Sequence, residues 1–128
     1  MEKLSPPNQP IQASCHCTAI TITAPGHPEK PINECQCTLC RRYGAEWAYY
    51  NTNDVKVEKK DGASFRKYSY GKNPSADFCF CETCGCMMMW WPFEVPHAGA
   101  EMGINTRMMD PDAIKGVNRI KCFDDLYK

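Results

Sequence analysis

The sequence predicts a mainly β domain with little helix, built from small sheets and stapled by zinc. Three observations predict it. Seven of the ten cysteines fall into the tight clusters Cys15-His16-Cys17, Cys35-Gln36-Cys37-Thr38-Leu39-Cys40 and Cys81-Glu82-Thr83-Cys84-Gly85. Short alternating segments recur between Gly and Pro punctuation. Only one stretch carries a helix-start signal, and it lasts barely a turn.

Taken in order, Pro6, Pro7 and Pro10 make residues 1–10 an extended or disordered lead-in, and residues 11–128 read as a single zinc-binding β domain. Thr18 to Thr23 alternates small or polar with β-branched residues and stops at Pro25-Gly26, a strand leaving the first cysteine pair. A second strand is expected through Ala45 to Tyr50. Asp54 to Glu58 and Phe65 to Tyr70 flank the turn signal Asp61-Gly62 as a strand, turn, strand unit. Ala76 to Phe80 runs into the third cluster, Met87 to Trp91 leaves it, and Gly103 to Thr106 is a further strand. Asp110-Pro111 supplies an acidic cap with Pro at the first helical position, and Gly116 ends that helix at once.

The chain has 128 residues, 43% of them apolar, but Cys and Met supply much of that fraction and long Leu, Ile or Val runs are missing. Metal crosslinks would compensate for so thin a core. No apolar h-region opens the sequence and no run of about 18 apolar residues suits a membrane span. The expected location is cytoplasmic, where dense cysteine serves metal binding or catalysis rather than disulfides. Formal charge is +0; ionising seven cysteines against two zinc ions makes the loaded protein mildly acidic, and no basic stripe suggests a nucleic-acid partner.

Cysteines one or two residues apart place both sulfurs on one ion but make poor disulfides with each other. The first and third clusters supply two ligands each, so Cys15, Cys17, Cys81 and Cys84 form a closed, structural site, with Gly85 suiting the tight turn that follows. The central cluster offers Cys35, Cys37 and Cys40 alone. Three protein ligands with an exchangeable fourth position is how catalytic zinc is held, and a soft thiolate centre of this kind favours an incoming thiol. Arg41 and Arg42 could offset the charge of that centre or clamp a substrate carboxylate. Spacing leaves one alternative open: Cys79, Cys86 or Cys122 could fill the fourth position, or all three could be buried thiols on strands.

The three clusters, with Arg41-Arg42-Tyr43-Gly44 after the second and Phe80 before the third, resemble the glutathione-dependent formaldehyde-activating enzyme family, which includes centromere protein V. Cys35 to Gly44 matches that family's CxCxxCRxxG core, Cys15 to Cys17 its opening CxC, and Phe80 to Gly85 its FCxxCG. The match continues through Gly103-Ile104-Asn105-Thr106-Arg107 and covers about Ser14 to Asp125. The resemblance implies a zinc-stapled β fold shared with methionine sulfoxide reductase B and a small exchange factor of Rab-type GTPases. It implies a structural zinc on Cys15, Cys17, Cys81 and Cys84, a second on Cys35, Cys37 and Cys40, and a carbon–sulfur lyase activity on glutathione adducts such as S-hydroxymethylglutathione. Two positions depart from the family: Thr18 stands where Gly is common after the opening CxC, and Cys86 follows the later CG where a small hydroxyl or aliphatic residue is usual. Neither removes a ligand.

The expected activity is zinc-dependent C–S bond making or breaking on a small-molecule thiol or glutathione conjugate, the substrate sulfur meeting the three-cysteine zinc. Trp47 and Tyr49, close behind the central cluster, could wall a bound adduct; Asn105 and Arg107 are weaker polar candidates. The remaining aromatics and Met87 to Met89 read as packing. His16, His27 and His97 read as turn or loop residues, His97 being the best placed for catalysis. A non-enzymatic zinc module that binds a protein partner is the alternative, favoured if a protein side chain caps the central zinc. Redox chemistry through Cys81 and Cys84 is a third option.

Overall fold

The computed structural model describes residues 6–122. The first half of the predicted lead-in and residues 123–128 at the end of the predicted domain lie outside the described residues. Residues 6–10 form an exposed turn whose Pro7 carbonyl accepts the His27 N–H at 2.9 Å.

The architecture is mainly β with little helix, as the sequence predicts. Strands β1 (Ile11–Ser14), β2 (Ile20–Ala24) and β5 (Lys56–Lys59) make a three-stranded antiparallel sheet in the order β1-β2-β5. Its alternation is strict: Ile11, Ala13, Ile20, Ile22 and Ala24 are buried while their neighbours are less so. The second sheet has seven strands, in the order β10 (Arg119–Cys122), β3 (Ile32–Cys35), β4 (Trp47–Asn51), β9 (Glu101–Asn105), β8 (Met87–Pro92), β7 (Ala76–Cys81) and β6 (Phe65–Ser69). All its pairings are antiparallel except β10 with β3.

The buried face of the small sheet packs with Ala48, Tyr50, Met88, Met102 and Ile104 of the large one into the main core. A second apolar cluster gathers Cys37, Cys40, Trp47, Phe78 and Met87. The two-residue period of β4 divides the labour, sending Ala48 and Tyr50 to the main core and Trp47 and Tyr49 to the second cluster. β8 escapes the period. Cys79 pairs with Met89 but Phe80 pairs with Met87, so Met88 is the extra residue of a bulge. All three methionines are buried as a result, Met87 toward the second cluster and Met88 and Met89 toward the main core.

The strand, turn, strand unit expected around Asp61-Gly62 is corrected. Both strands form, and Gly62 turns at φ 81°, but β5 pairs with β2 and β6 pairs with β7. Lys60 N–H is held by the Ala19 carbonyl at 2.9 Å, so the turn carries the chain from one sheet to the other. The Asp110 cap is present as expected, its carboxylate accepting the Asp112 N–H at 3.0 Å, and leads a 3-10 turn over Pro111–Ile114. Strands β1, β3 and β10 and the one-turn helix α1 (Cys40–Tyr43) carried no clear sequence signal. No helix among the described residues is long and apolar enough to cross a membrane.

Candidate metal centres and the adjoining cavity

Two turns build the four-cysteine centre. At the first, Cys15 carbonyl accepts the Thr18 N–H at 3.0 Å and Ile20 N–H points at Cys15 Sγ at 3.3 Å. At the second, Cys81 carbonyl accepts the Gly85 N–H at 2.8 Å, with Gly85 at φ 78°. Thr18 is the one non-glycine among the described residues with positive φ, at 66°, and its hydroxyl accepts from Lys60 Nζ at 3.0 Å.

The four sulfurs lie within 4.8 Å of one another, and Cys17 Sγ is 3.6 Å from both Cys15 Sγ and Cys81 Sγ. Four sulfurs about 2.3 Å from one tetrahedral zinc stand about 3.8 Å apart, and the spacings of Cys17 to Cys15 and Cys81 match that geometry. Its proton affinity agrees. The Ala19 amide favours the Cys17 thiolate, but burial and the sulfurs of Cys15, Cys81 and Cys84 push the thiol up to about 12. Burial works against ionisation of Cys84, yet the amides of Cys17 and Cys86 and bonds from Cys86 and Cys81 bring it down to about 5. Sulfurs this crowded compete for protons, and a divalent cation would relieve that competition.

The central cluster sits where β3 runs into α1. Cys35 ends the strand, Cys40 opens the helix, and Cys40 N–H points at Cys37 Sγ at 3.2 Å. Gly44 closes the helix at φ 65°, a conformation that favours glycine. The sulfurs of Cys35, Cys37 and Cys40 lie within 4.8 Å of one another, and no fourth Cys, His, Asp or Glu among the described residues joins them at that spacing. Trp47 Nε1–H donates to Cys40 Sγ at 3.3 Å, the outer support that thiolate ligands commonly receive. Hydrogen bonding to Cys35, then burial, pushes the Cys40 thiol well up, so this set too would give up protons to a cation.

Beside these sulfurs opens a cavity of about 310 Å³. Cys35, Cys40 and Trp47 line it together with the rings of Tyr49, Tyr70, Phe78 and Trp90. Tyr49 and Trp90 meet edge to face with centroids 6.2 Å apart, and Trp47 lies 6.0 Å from Phe78. Asn33, Glu101 and Cys122 add polarity. Asn33 Nδ2 donates to Tyr49 Oη at 2.6 Å, while Asn33 Oδ1 is buried without a partner. Burial raises the Tyr49 phenol to about 12, against the opposing pull of Asn33, so it stays protonated near neutrality.

Of the sequence candidates, Trp47 and Tyr49 line the cavity and the other substrate candidates do not. Arg41 is exposed on α1, and Arg42 is engaged with the Thr38 carbonyl and hydroxyl, each at 2.6 Å. Asn105 is 1% exposed and spends its amide on main chain, donating to the Met87 carbonyl and accepting from Glu46 and Arg107 N–H groups. Arg107 lines a separate groove with Arg42 and Cys86. His27 Nε2 bonds the Ala113 carbonyl at 3.0 Å; His16 and His97 are exposed. Cys79 belongs to the main core and Cys86 packs beside that core, whereas Cys122, the register partner of Cys35, lines the cavity. Sequence reasoning missed Asn33, Tyr70, Phe78 and Glu101 as cavity residues, and read Trp90, which also lines the cavity, as packing. Asn33 carried a usable signal, since it stands two residues before Cys35 on one strand and must share its face.

Fold and sites together define a small two-sheet β domain whose cysteines form one complete and one incomplete donor set for a thiophilic metal. The chain belongs to the glutathione-dependent formaldehyde-activating enzyme family, whose model matches residues 10–122. It is similar to the crystal structure of a Rhodobacter sphaeroides protein solved as a structural genomics target, with 25% identity, a TM-score of 0.64, and coverage of 85% of this chain and 99% of that one. No curated protein matches the chain. Family membership makes a glutathione-type thiol adduct the coarse substrate class.

Proposed function

We propose that the protein is a zinc-dependent carbon–sulfur lyase acting on a thiol adduct of glutathione type, with Cys35, Cys37 and Cys40 as the catalytic metal ligands and Cys15, Cys17, Cys81 and Cys84 as the structural ones. The observation that carries the reading is the difference between the two donor sets: the four sulfurs gather away from the cavity, whereas two of the three, Cys35 and Cys40, line it. Bound to the three, zinc supplies a Lewis-acid site that favours a substrate sulfur as thiolate. Cys35 and Cys40 present that site to the cavity, the N–H groups of Cys40 and Trp47 temper the sulfur charge, and the surrounding rings keep water from the bond that breaks. Trp47 and Tyr49 are the substrate-binding residues in this reading. Arg41 and Arg42, which lie outside the cavity lining, are left to a substrate tail that extends beyond it.

The test is metal content and thiol binding together. Purified protein should carry two zinc ions per chain, one for each donor set, and Cys37→Ser should keep the structural one. Cobalt(II) in the central set should show a sulfur-to-metal absorption band that grows on adding thiol; a band indifferent to every thiol would defeat the proposal.

One observation favours a second reading, a non-enzymatic zinc module. Cys122 stands beside Cys35 on the neighbouring strand and faces the same cavity, so it is the residue placed to cap the ion. If Cys122→Ser creates thiol binding that the native protein lacks, the module reading prevails.

A further inference from the structure

The cavity is far larger than the smallest adduct requires. A one-carbon hydroxymethyl group is comparable in size to a water molecule, whose share of liquid is about 30 Å³, whereas a benzene-sized guest fits a cavity of about 150 Å³. The space beside the sulfurs is about 310 Å³ and its walls are aromatic. No Lys or Arg lines it, and its carboxylate, Glu101, is paired with Lys30 outside the lining. The peptide of glutathione carries two carboxylates and one ammonium, and Lys30, 5.9 Å over the Tyr49 ring, is already paired with Glu101, so burying those charges among such walls would cost hydration with little in return. A flat apolar group gains on both counts, from buried area and from edge-to-face contacts with Tyr49 and Trp90.

We propose that the carbon fragment of the adduct is a flat, aromatic group held among Tyr49, Phe78 and Trp90. The inference rests on the reading that Cys35, Cys37 and Cys40 hold the ion that meets the substrate sulfur. In the cleavage direction the C–S bond breaks with its electron pair on sulfur, the hydroxyl loses its proton to solvent as the C=O bond forms, and sulfur regains a proton on release. The products are an aromatic aldehyde and the free thiol, with no net oxidation. The peptide of the thiol lies outside the cavity.

The experiment uses zinc-loaded protein and ligands that share one peptide. Quenching of tryptophan fluorescence by S-methyl-, S-butyl- and S-benzylglutathione should place the benzyl compound about tenfold or more tighter than the methyl one, and tighter than the butyl. Equal affinities overturn the aromatic fragment. Failure of the underlying reading looks different, because then the cobalt(II) band ignores every thiol, aromatic or not.

Discussion

The indole of Trp90 lies directly over Gly103: a Cβ placed on Gly103 would stand 2.1 Å from Trp90 Nε1. The two are register partners on β8 and β9, and Gly103 also pairs with Tyr49 on β4. The missing side chain is therefore the space in which one cavity wall stands. Gly103→Ala should displace the indole, cost about 1–3 kcal/mol as overpacking does, and weaken binding of thiol ligands. Thermal melts and ligand titration check this, and Trp90→Ala should remove most of the stability penalty of the second substitution.

The four-sulfur centre ties the turn after β1 to the turn between β7 and β8. Cys84→Ser or strong chelation should therefore unfold the domain, whereas Cys37→Ser should leave a cooperative fold. The expected gap is several kcal/mol in favour of Cys37→Ser, since structural zinc binding is folding free energy. Circular dichroism of the two variants, with zinc measured on the same samples, makes the comparison.

Thr18 holds a backbone conformation that costs a non-glycine residue about 1–2 kcal/mol, against about 0.5–1 kcal/mol of chain entropy added by glycine. Its hydroxyl bond to Lys60 is solvent-exposed and returns little. Thr18→Gly should leave zinc content unchanged and raise stability by about 1 kcal/mol or less, measured as a urea midpoint.

Asn105 satisfies three main-chain groups from one buried amide. Asn105→Ala should cost about 2–4 kcal/mol, because those groups lose their partners away from water, and affinity for thiol ligands should hold in the folded fraction. A parallel loss of affinity without loss of stability would restore Asn105 as a substrate contact.

Burial pushes the Cys79 thiol up to about 11 and the Tyr50 phenol, which donates to the Gly26 carbonyl at 2.7 Å, higher still. Both are acids whose neutral form is favoured in the folded state, so the unfolded chain releases protons first. Their contribution is complete below about pH 9 and is lost as pH rises from the unfolded thiol value through about 11 and beyond. Denaturation midpoints at constant zinc should fall on that alkaline limb, and Cys79→Ala should flatten its first part.

Ligand spacing is local, which is why Cys15, Cys17, Cys81, Cys84 and the trio at Cys35, Cys37 and Cys40 were legible before any fold was known. The aromatic walls were not. Tyr70, just after β6, and Phe78, on β7, come from far along the chain, and nothing near them marks one face of β7 as cavity wall and the other, with Cys79 and Cys81, as core. Periodicity found β2, β4 and β7 because each alternates or runs apolar. It could not find β3 and β10, whose parallel pairing depends on partners 87 residues apart, Ile32 with Arg119 and Cys35 with Cys122. The turn at Gly62 was read correctly in place and wrongly in consequence, since turn chemistry fixes a reversal and not the strand on either side that accepts the hydrogen bonds.

That same parallel pairing sets an order of events. Every sulfur of both donor sets has been synthesised by residue 84, but the outer edge of the strand that carries Asn33 and Cys35 stays bare until residues 119–122 arrive. The ligands of both donor sets therefore precede, along the chain, the strand that supplies the last border of the cavity, so a chain cut short before residue 119 would keep both donor sets and lack that border.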